Sequence, residues 1–211
     1  MNEPSPAAAP RLMALGLFTS AYLAISAIVS SLRGNGEFVF YIVVMLILIG
    51  AILHVHRRVA LTGGILWGLT IWGLLHMAGG LVPLPEGVPF NGDQRVLYSW
   101  WLIPNRLKYD QVVHAYGFGI TTWMCWHILR TTLRDPSGVH PRPTFGLLVL
   151  CGAAGMGFGA LNEVIEFFAT LSLPNTNVGG YENTGWDLVS NLVGCVIAGV
   201  VIRAAARCAR D

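Results

Sequence analysis

The fold class that this sequence predicts is all-α: a polytopic membrane protein, built as a bundle of six transmembrane helices with an interfacial segment between the third and the fourth. Three observations carry that expectation. Charged residues make up only 11% of the 211-residue chain while 54% are hydrophobic, whereas a soluble domain carries about 25% charged residues. The mean hydropathy is +0.59. The apolar residues also gather into runs close to the roughly 20 residues that a spanning helix needs. Together these exclude a soluble enzyme. A net charge of +2, with no Lys/Arg block interleaved with aromatics, excludes nucleic acid as a partner and leaves membrane lipid as the surrounding one.

The chain opens on MNEPSPAAAPR, which is rich in Pro and Ala and lacks a basic n-region. The apolar run behind it is long enough to span, so it reads as a retained first helix and not as a cleavable signal. Spans are expected at about 12–32, 38–54, 61–82, 111–133, 145–173 and 186–204, all within a single membrane domain over 1–211. The fourth is the most polar, and the fifth is long enough to tilt or break. Residues 83–109 differ. Pro83, Pro85, Pro89, Pro104 and the pair Asn91-Gly92 mark turns. The aromatic stretch around Trp100 and Trp101 suits the membrane interface, where it would lie on the surface as a lid. Gly152, Gly155, Gly157 and Gly159, with Gly117, Gly119 and Gly194, have the small-residue spacing that lets helices approach closely. Cys125, Cys151, Cys195 and Cys208 match no disulfide or metal framework and read as small apolar side chains.

Basic residues set the orientation, because cytoplasmic loops carry the excess of Lys and Arg. Six spans put Arg11, Arg57, Arg58, Arg130, Arg134, Arg142, Arg203, Arg207 and Arg210 on one side. They leave Arg33, Arg95, Arg106 and Lys108 on the other. Both termini are therefore expected in the cytoplasm of a bacterial inner membrane.

Ionisable residues inside a membrane cost about 2.5–3.5 kcal/mol each on insertion scales, so those that persist are candidates for function. They are His76, Asp110, His114, Glu163, Glu166 and Asp187, with Asn191 beside them. The expected topology puts all of them in the outer half. His76 lies late in the third span and Glu163 and Glu166 late in the fifth, while Asp110 and His114 open the fourth and Asp187 and Asn191 the sixth. The pairs are three or four residues apart, so each shares one helix face. Carboxylates and imidazoles converging from facing helices are how bundles build metal sites; the same layout also suits a proton relay. Taken singly, Asp110 and Asp187 at helix starts are equally explained as caps, and His114 as a satisfied interior histidine. Glu163 and Glu166 on one face repel unless one is protonated or a cation lies between them. His54, His56, His127 and His140 fall toward the other side and read as non-catalytic.

At these positions the chain resembles a family of bacterial inner-membrane proteins, the YjdF type. The motifs are Tyr109-Asp110-Gln111-Val112-Val113-His114 followed by Gly117, then Glu163-Val164-Ile165-Glu166, then Asn183-Thr184-Gly185-Trp186-Asp187. More distantly, Asp110, His114, Glu163, Asp187, Asn191 and Gly194 are similar to the pattern of VanZ-like proteins. The resemblance runs over roughly 61–198 and implies an inner-membrane location, not a reaction. The chain departs from the pattern at Asn162, where an aromatic is expected, and at Asn183, where the family often has an aspartate.

The functional expectation is a metal-assisted enzyme acting on a lipid or lipid-linked envelope precursor. His114, Glu163, Glu166 and Asp187 would ligate a divalent metal ion, and His76 would serve as ligand or general acid/base. A proton-coupled small transporter, and an envelope protein whose polar cluster only ties helix ends together, are the alternatives. The one-layer placement and the lack of an internal repeat count against transport.

Overall fold

A computed structural model of the chain describes residues 9–133 and 138–208, with side chains from residue 12 on. Residues 1–8 of the N-terminal stretch, the Arg11 side chain, Arg134 and Arg210 lie outside the described residues.

Six helices account for most of the chain: α1 Ala9–Leu32, α2 Gly36–Val59, α3 Gly63–Leu81, α4 Tyr109–Thr132, α5 Phe145–Ser172 and α6 Tyr181–Cys208. Their starts are chemically marked. The side chains of Asn35, Thr62 and Thr144 accept hydrogen bonds from the backbone N–H groups of Phe38, Ile65 and Leu147, which satisfies donors that the first turn leaves free. The left-handed Ala60 (φ 48°) closes α2. Five helices are long and apolar enough to cross a membrane. The exception is α4; its 24 residues make a rod of about 36 Å, but its polar content lowers its hydropathy.

The helices run past the expected boundaries in two places that matter. α2 continues to Val59 through Arg57 and Arg58, and α6 begins at Tyr181, not at 186. Asp187 therefore sits about a turn and a half inside the helix and is not a cap. His76 is likewise followed by unbroken helix through Gly79 and Gly80 to Leu81. Those glycines do not turn the chain. They make room for rings: a Cβ on Gly80 would enter the Phe38 ring, and one on Gly79 would overlap Tyr98.

Burial is inverted relative to a soluble protein. Asn191, Thr122, Asp187 and Ser30 rank among the most completely buried side chains, while Leu17, Ile25, Ile47, Phe167, Leu171 and Val200 are exposed. In water so much contiguous apolar surface would associate. Against lipid tails it is the expected exterior, and the polar groups turn inward.

α4 is the centre of the bundle, packed on α3, α5 and α6. Its seam with α6 is backbone against backbone: a Cβ on Gly119 would sit 3.2 Å from the Gly194 carbonyl oxygen, and one on Gly194 would drive into the Ala115 carbonyl. On α5, Gly155 faces Thr122 and Cys195, and Gly159 faces Asn191; Gly152 and Gly157 face open space. Only half of that glycine series is therefore a packing seam.

Residues 82–108 form a folded cap over one end of the bundle. A 3-10 turn, Leu97–Ser99, packs on α3 and α4. β1 Trp101–Ile103 pairs antiparallel with β2 Leu107–Lys108 through a turn at Asn105 (φ 56°). The cap is tied to α3 by Leu97 N–H donating to the Val82 carbonyl, and it leads directly into α4, where Tyr109 Oη donates to the Leu75 carbonyl at 3.0 Å. The Arg33 guanidinium reaches the Leu81 carbonyl from the α1–α2 connection at 2.7 Å.

Gly194→Ala should push α4 and α6 apart and destabilise the protein by about 1–3 kcal/mol, the usual cost of overpacking. Gly157→Ala, with nothing to meet, should be neutral or stabilising by up to about 1 kcal/mol. Thermal unfolding of the two variants in detergent separates them.

Candidate functional site

Facing turns of α4, α5 and α6 supply the cluster. His114 on α4 is buried, with 6% of its surface exposed. Its Nδ1 lies 3.1 Å from Asn191 Oδ1 on α6 and 3.7 Å from Glu163 Oε1 on α5. Its Nε2 points the other way, 3.6 Å from Asp110 Oδ1 one helical turn earlier on α4. In the neutral tautomer in which Nδ1 donates to the Asn191 oxygen, Nε2 presents a lone pair to a carboxylate oxygen. Two acceptors so placed need a proton or a cation between them.

The carboxylates are unevenly provided for. Asp187, 1% exposed, accepts a 2.6 Å bond from Asn183 Nδ2 at Oδ2, while its Oδ1 is buried without a hydrogen-bond partner. Asn183 in turn takes the Lys108 ammonium on its own oxygen. Glu166 Oε1 accepts from Asn162 Nδ2 at 2.8 Å. Glu163 has a side chain only 9% exposed, yet neither of its oxygens accepts a hydrogen bond. Buried polar atoms left so are uncommon and call for an account. Two groups of three can each bring one ligand atom per residue within 4.8 Å of one another: Asp110, His114 and Asp187, and His114, Glu163 and Glu166. His114 belongs to both.

Of the sequence candidates, Asp110, His114, Glu163, Glu166, Asp187 and Asn191 are thus brought together, and His76 is set apart. His76 Nδ1 meets the Tyr98 hydroxyl in a short hydrogen bond. Its ring packs edge-on against Tyr41 and Tyr98, with centroids 5.4 and 5.6 Å away. Burial, together with the nearby carboxylates Asp110 and Glu166, pushes the Tyr98 hydroxyl well above its ordinary range, so it stays protonated. His76 thus belongs to neither group of three, and its ring nitrogen is taken by a residue of the cap.

Sequence reasoning did not single out Tyr98, Lys108 or Glu37 for the site, and it noted Asn183 only as a departure from the family pattern. Lys108 is nearly buried, and its backbone N–H donates to Gln111 Oε1 at 2.9 Å, which starts α4. Glu37, 4% exposed, accepts the Asn177 backbone N–H at 2.9 Å and so pins the α5–α6 connection to α2. The signal available for Glu37 was a lone carboxylate opening an otherwise apolar span. Contacts from Lys108 to Asn183 and from Glu37 to Asn177 cross 75 and 140 residues, which no local pattern reveals.

Above the cluster opens a polar cavity of about 790 Å³, enclosed by the cap, the start of α4, the α5–α6 connection and the start of α6. Asp110 is in its wall, so the cavity borders the cluster at that residue.

A family model described as "Predicted membrane protein (DUF2238)" matches residues 12–207, a span that includes every residue of the cluster. No curated protein and no solved structure matches the chain.

Asn183→Ala leaves the Lys108 ammonium and Asp187 Oδ2 without their partners. The expected cost is about 1–3 kcal/mol, read as a lowered melting temperature in detergent.

Proposed function

The chain belongs to this family of membrane proteins, and from that premise we propose that it is a metal-assisted enzyme working on the headgroup of a lipid or lipid-linked envelope substrate. In this reading the bundle crosses a bacterial inner membrane six times, with both termini cytoplasmic, and α4 is the sixth spanning helix in spite of its polarity. α4 is long enough to span, and its polar face is covered by α5 and α6. The described arginines Arg57, Arg58, Arg130, Arg142, Arg203 and Arg207 fall on the side opposite the cap. The cap and cavity then lie at the extracytoplasmic interface, where headgroups are.

The observation that carries the reading is the environment of His114 Nε2. It lies 3.6 Å from Asp110 Oδ1, and Asp187 Oδ1 is buried with no partner. The ligand atoms of this group lie within 4.8 Å of one another, close to the ~4 Å between opposite ligands at bond lengths of ~2.1 Å. Metal-binding histidines commonly anchor their other nitrogen on a neighbouring acceptor, the role open to Asn191. Mixed imidazole and carboxylate ligation suits a divalent cation such as Zn²⁺ or Mn²⁺. A cation there would neutralise part of the cluster and make a bound water nucleophilic. Glu163 and Glu166, on the Nδ1 side, supply the general base, and His76 with Tyr98 supplies a proton at the cavity.

Metal analysis of the purified chain tests this directly. About one divalent ion per chain is expected. It should be lost in His114→Ala and Asp187→Asn and kept in Glu163→Gln. A folded wild type without metal, or a His114→Ala variant that keeps it, overturns the proposal. Added metal should also raise the melting temperature of the wild type, since binding to the folded state alone stabilises it.

The topology is tested separately. A fluorescent reporter fused to the C-terminus should light up in the cytoplasm, and a periplasm-dependent phosphatase at the same place should stay inactive. The opposite pattern sinks the six-span arrangement.

A further inference from the structure

The cavity over the cluster has a chemical character of its own. Five carboxamides line it: Asn91, Asn105, Gln111, Asn177 and Asn183. Asn91, Asn105 and Asn177 can each offer a donor and an acceptor side by side, the pairing that matches vicinal hydroxyl groups, while Gln111 and Asn183 are partly engaged by Lys108 and Asp187. Two indoles, Trp101 from the cap and Trp186 from α6, stand in the same wall; Trp186 is 53% exposed and so has a free face. Flat aromatic faces next to amides suit a ring that is apolar on its faces and polar around its edge.

Charge decides against an anionic ligand. The wall holds two cations, Arg106 and Lys108, against three carboxylates, Asp93, Asp110 and Glu182. Lys108 is already engaged by Asn183. Sites for phosphate concentrate Arg and Lys, often with bidentate geometry; this one does not. The volume of about 790 Å³ falls in the ~300–1,000 Å³ range of small-ligand sites.

We infer that the cavity between the cap and the start of α6 binds a neutral polyhydroxyl group, a sugar or sugar-like headgroup. The inference deepens the enzymatic reading and rests on it for the statement that the bound group is substrate. The group would lie with its ring against Trp101 and Trp186, its hydroxyls on the carboxamides, and its inner edge toward Asp110. A polyol joined to a membrane lipid and a free polyol share this chemistry.

The test uses the full chain in phosphatidylcholine nanodiscs doped with monoglucosyl diacylglycerol, with bound lipid counted by native mass spectrometry. The expected result is enrichment of the glycolipid over phosphatidylcholine. Enrichment should be weakened about tenfold, about 1.4 kcal/mol, in Trp101→Ala and Trp186→Ala, and largely restored in Trp186→Phe. Displacement by methyl β-D-glucopyranoside assigns the site to the polyol alone, and its failure assigns it to the lipid-borne form; either keeps the inference. No enrichment in the wild type overturns it, as does enrichment unchanged in both alanine variants. Metal content measured on the same samples separates the two readings. Metal without glycolipid enrichment sinks this inference alone, and enrichment without metal sinks the metal centre alone.

Discussion

The site depends on how closely α4 and α6 approach. Where Gly119 and Gly194 face each other, the backbones touch without intervening side chains, and only at that separation can His114 and Asn191 meet at 3.1 Å. A third helix closes on the seam because Gly155 and Gly159 admit Thr122 and Asn191 against α5. That approach brings Glu163 to 3.7 Å from the same imidazole. In lipid, where apolar burial between helices gives little drive, such small-residue contacts and the hydrogen bonds they permit are what hold helices together. Packing and polar convergence are therefore one feature: the glycines that let the helices touch also set the distances within the cluster.

The interior built this way is costly. A buried carboxylate needs a partner for its charge, and in this bundle the partners run short. Asn162 and Asn183 each serve one oxygen of an acid, and Lys108 is held by Asn183 and not by a carboxylate. Glu163 Oε1 lies 3.7 Å from His114 Nδ1 and neither of its oxygens accepts a hydrogen bond, and Asp187 keeps one bare oxygen. A cluster whose only task was to tie helices together would be improved by replacing such groups with apolar ones of the same shape. The shortfall gathers around His114: both oxygens of Glu163, one oxygen of Asp187 and the Asn191 Nδ2 group are all buried without a hydrogen-bond partner.

Much of the helical frame was legible because lipid imposes a simple rule: long apolar runs, interrupted by Pro, Gly and charge, mark helices. The break at residues 83–109 was legible for the same reason, since its prolines deny a spanning helix. Boundaries were less so. α6 starts at Tyr181 in a polar stretch, Glu182-Asn183-Thr184, that no hydropathy rule would count as span, so Asp187 lies inside the helix although the sequence places it at the end. The convergence of Asp110, His114, Glu163, Glu166 and Asp187 could be anticipated because each shares a face with a polar neighbour three or four residues away. The place of His76 could not. Its ring nitrogen is taken by Tyr98 of the cap, and the path of residues 82–108 is set by backbone bridges such as Pro83 to Val96.

The cap also explains why the most polar helix is the central one. α4 begins where β2 ends, with Lys108 held by Gln111 through its backbone and by Asn183 through its side chain. The first turn of α4 thus belongs at once to the cavity wall, through Asp110 and Gln111, and to the cluster, through Asp110 and His114. A helix that must present polar groups both to an open cavity and to a buried cluster keeps little surface for lipid, Val112 and Trp123 being exposed on α4, and it sits where α3, α5 and α6 surround it. The lipid-facing work passes to α1, α2 and the outer faces of α5 and α6, where most exposed large apolar side chains are Leu, Ile, Val and Phe. Chemistry confined to one helix thereby fixes which helices form the wall of the bundle and which form its centre.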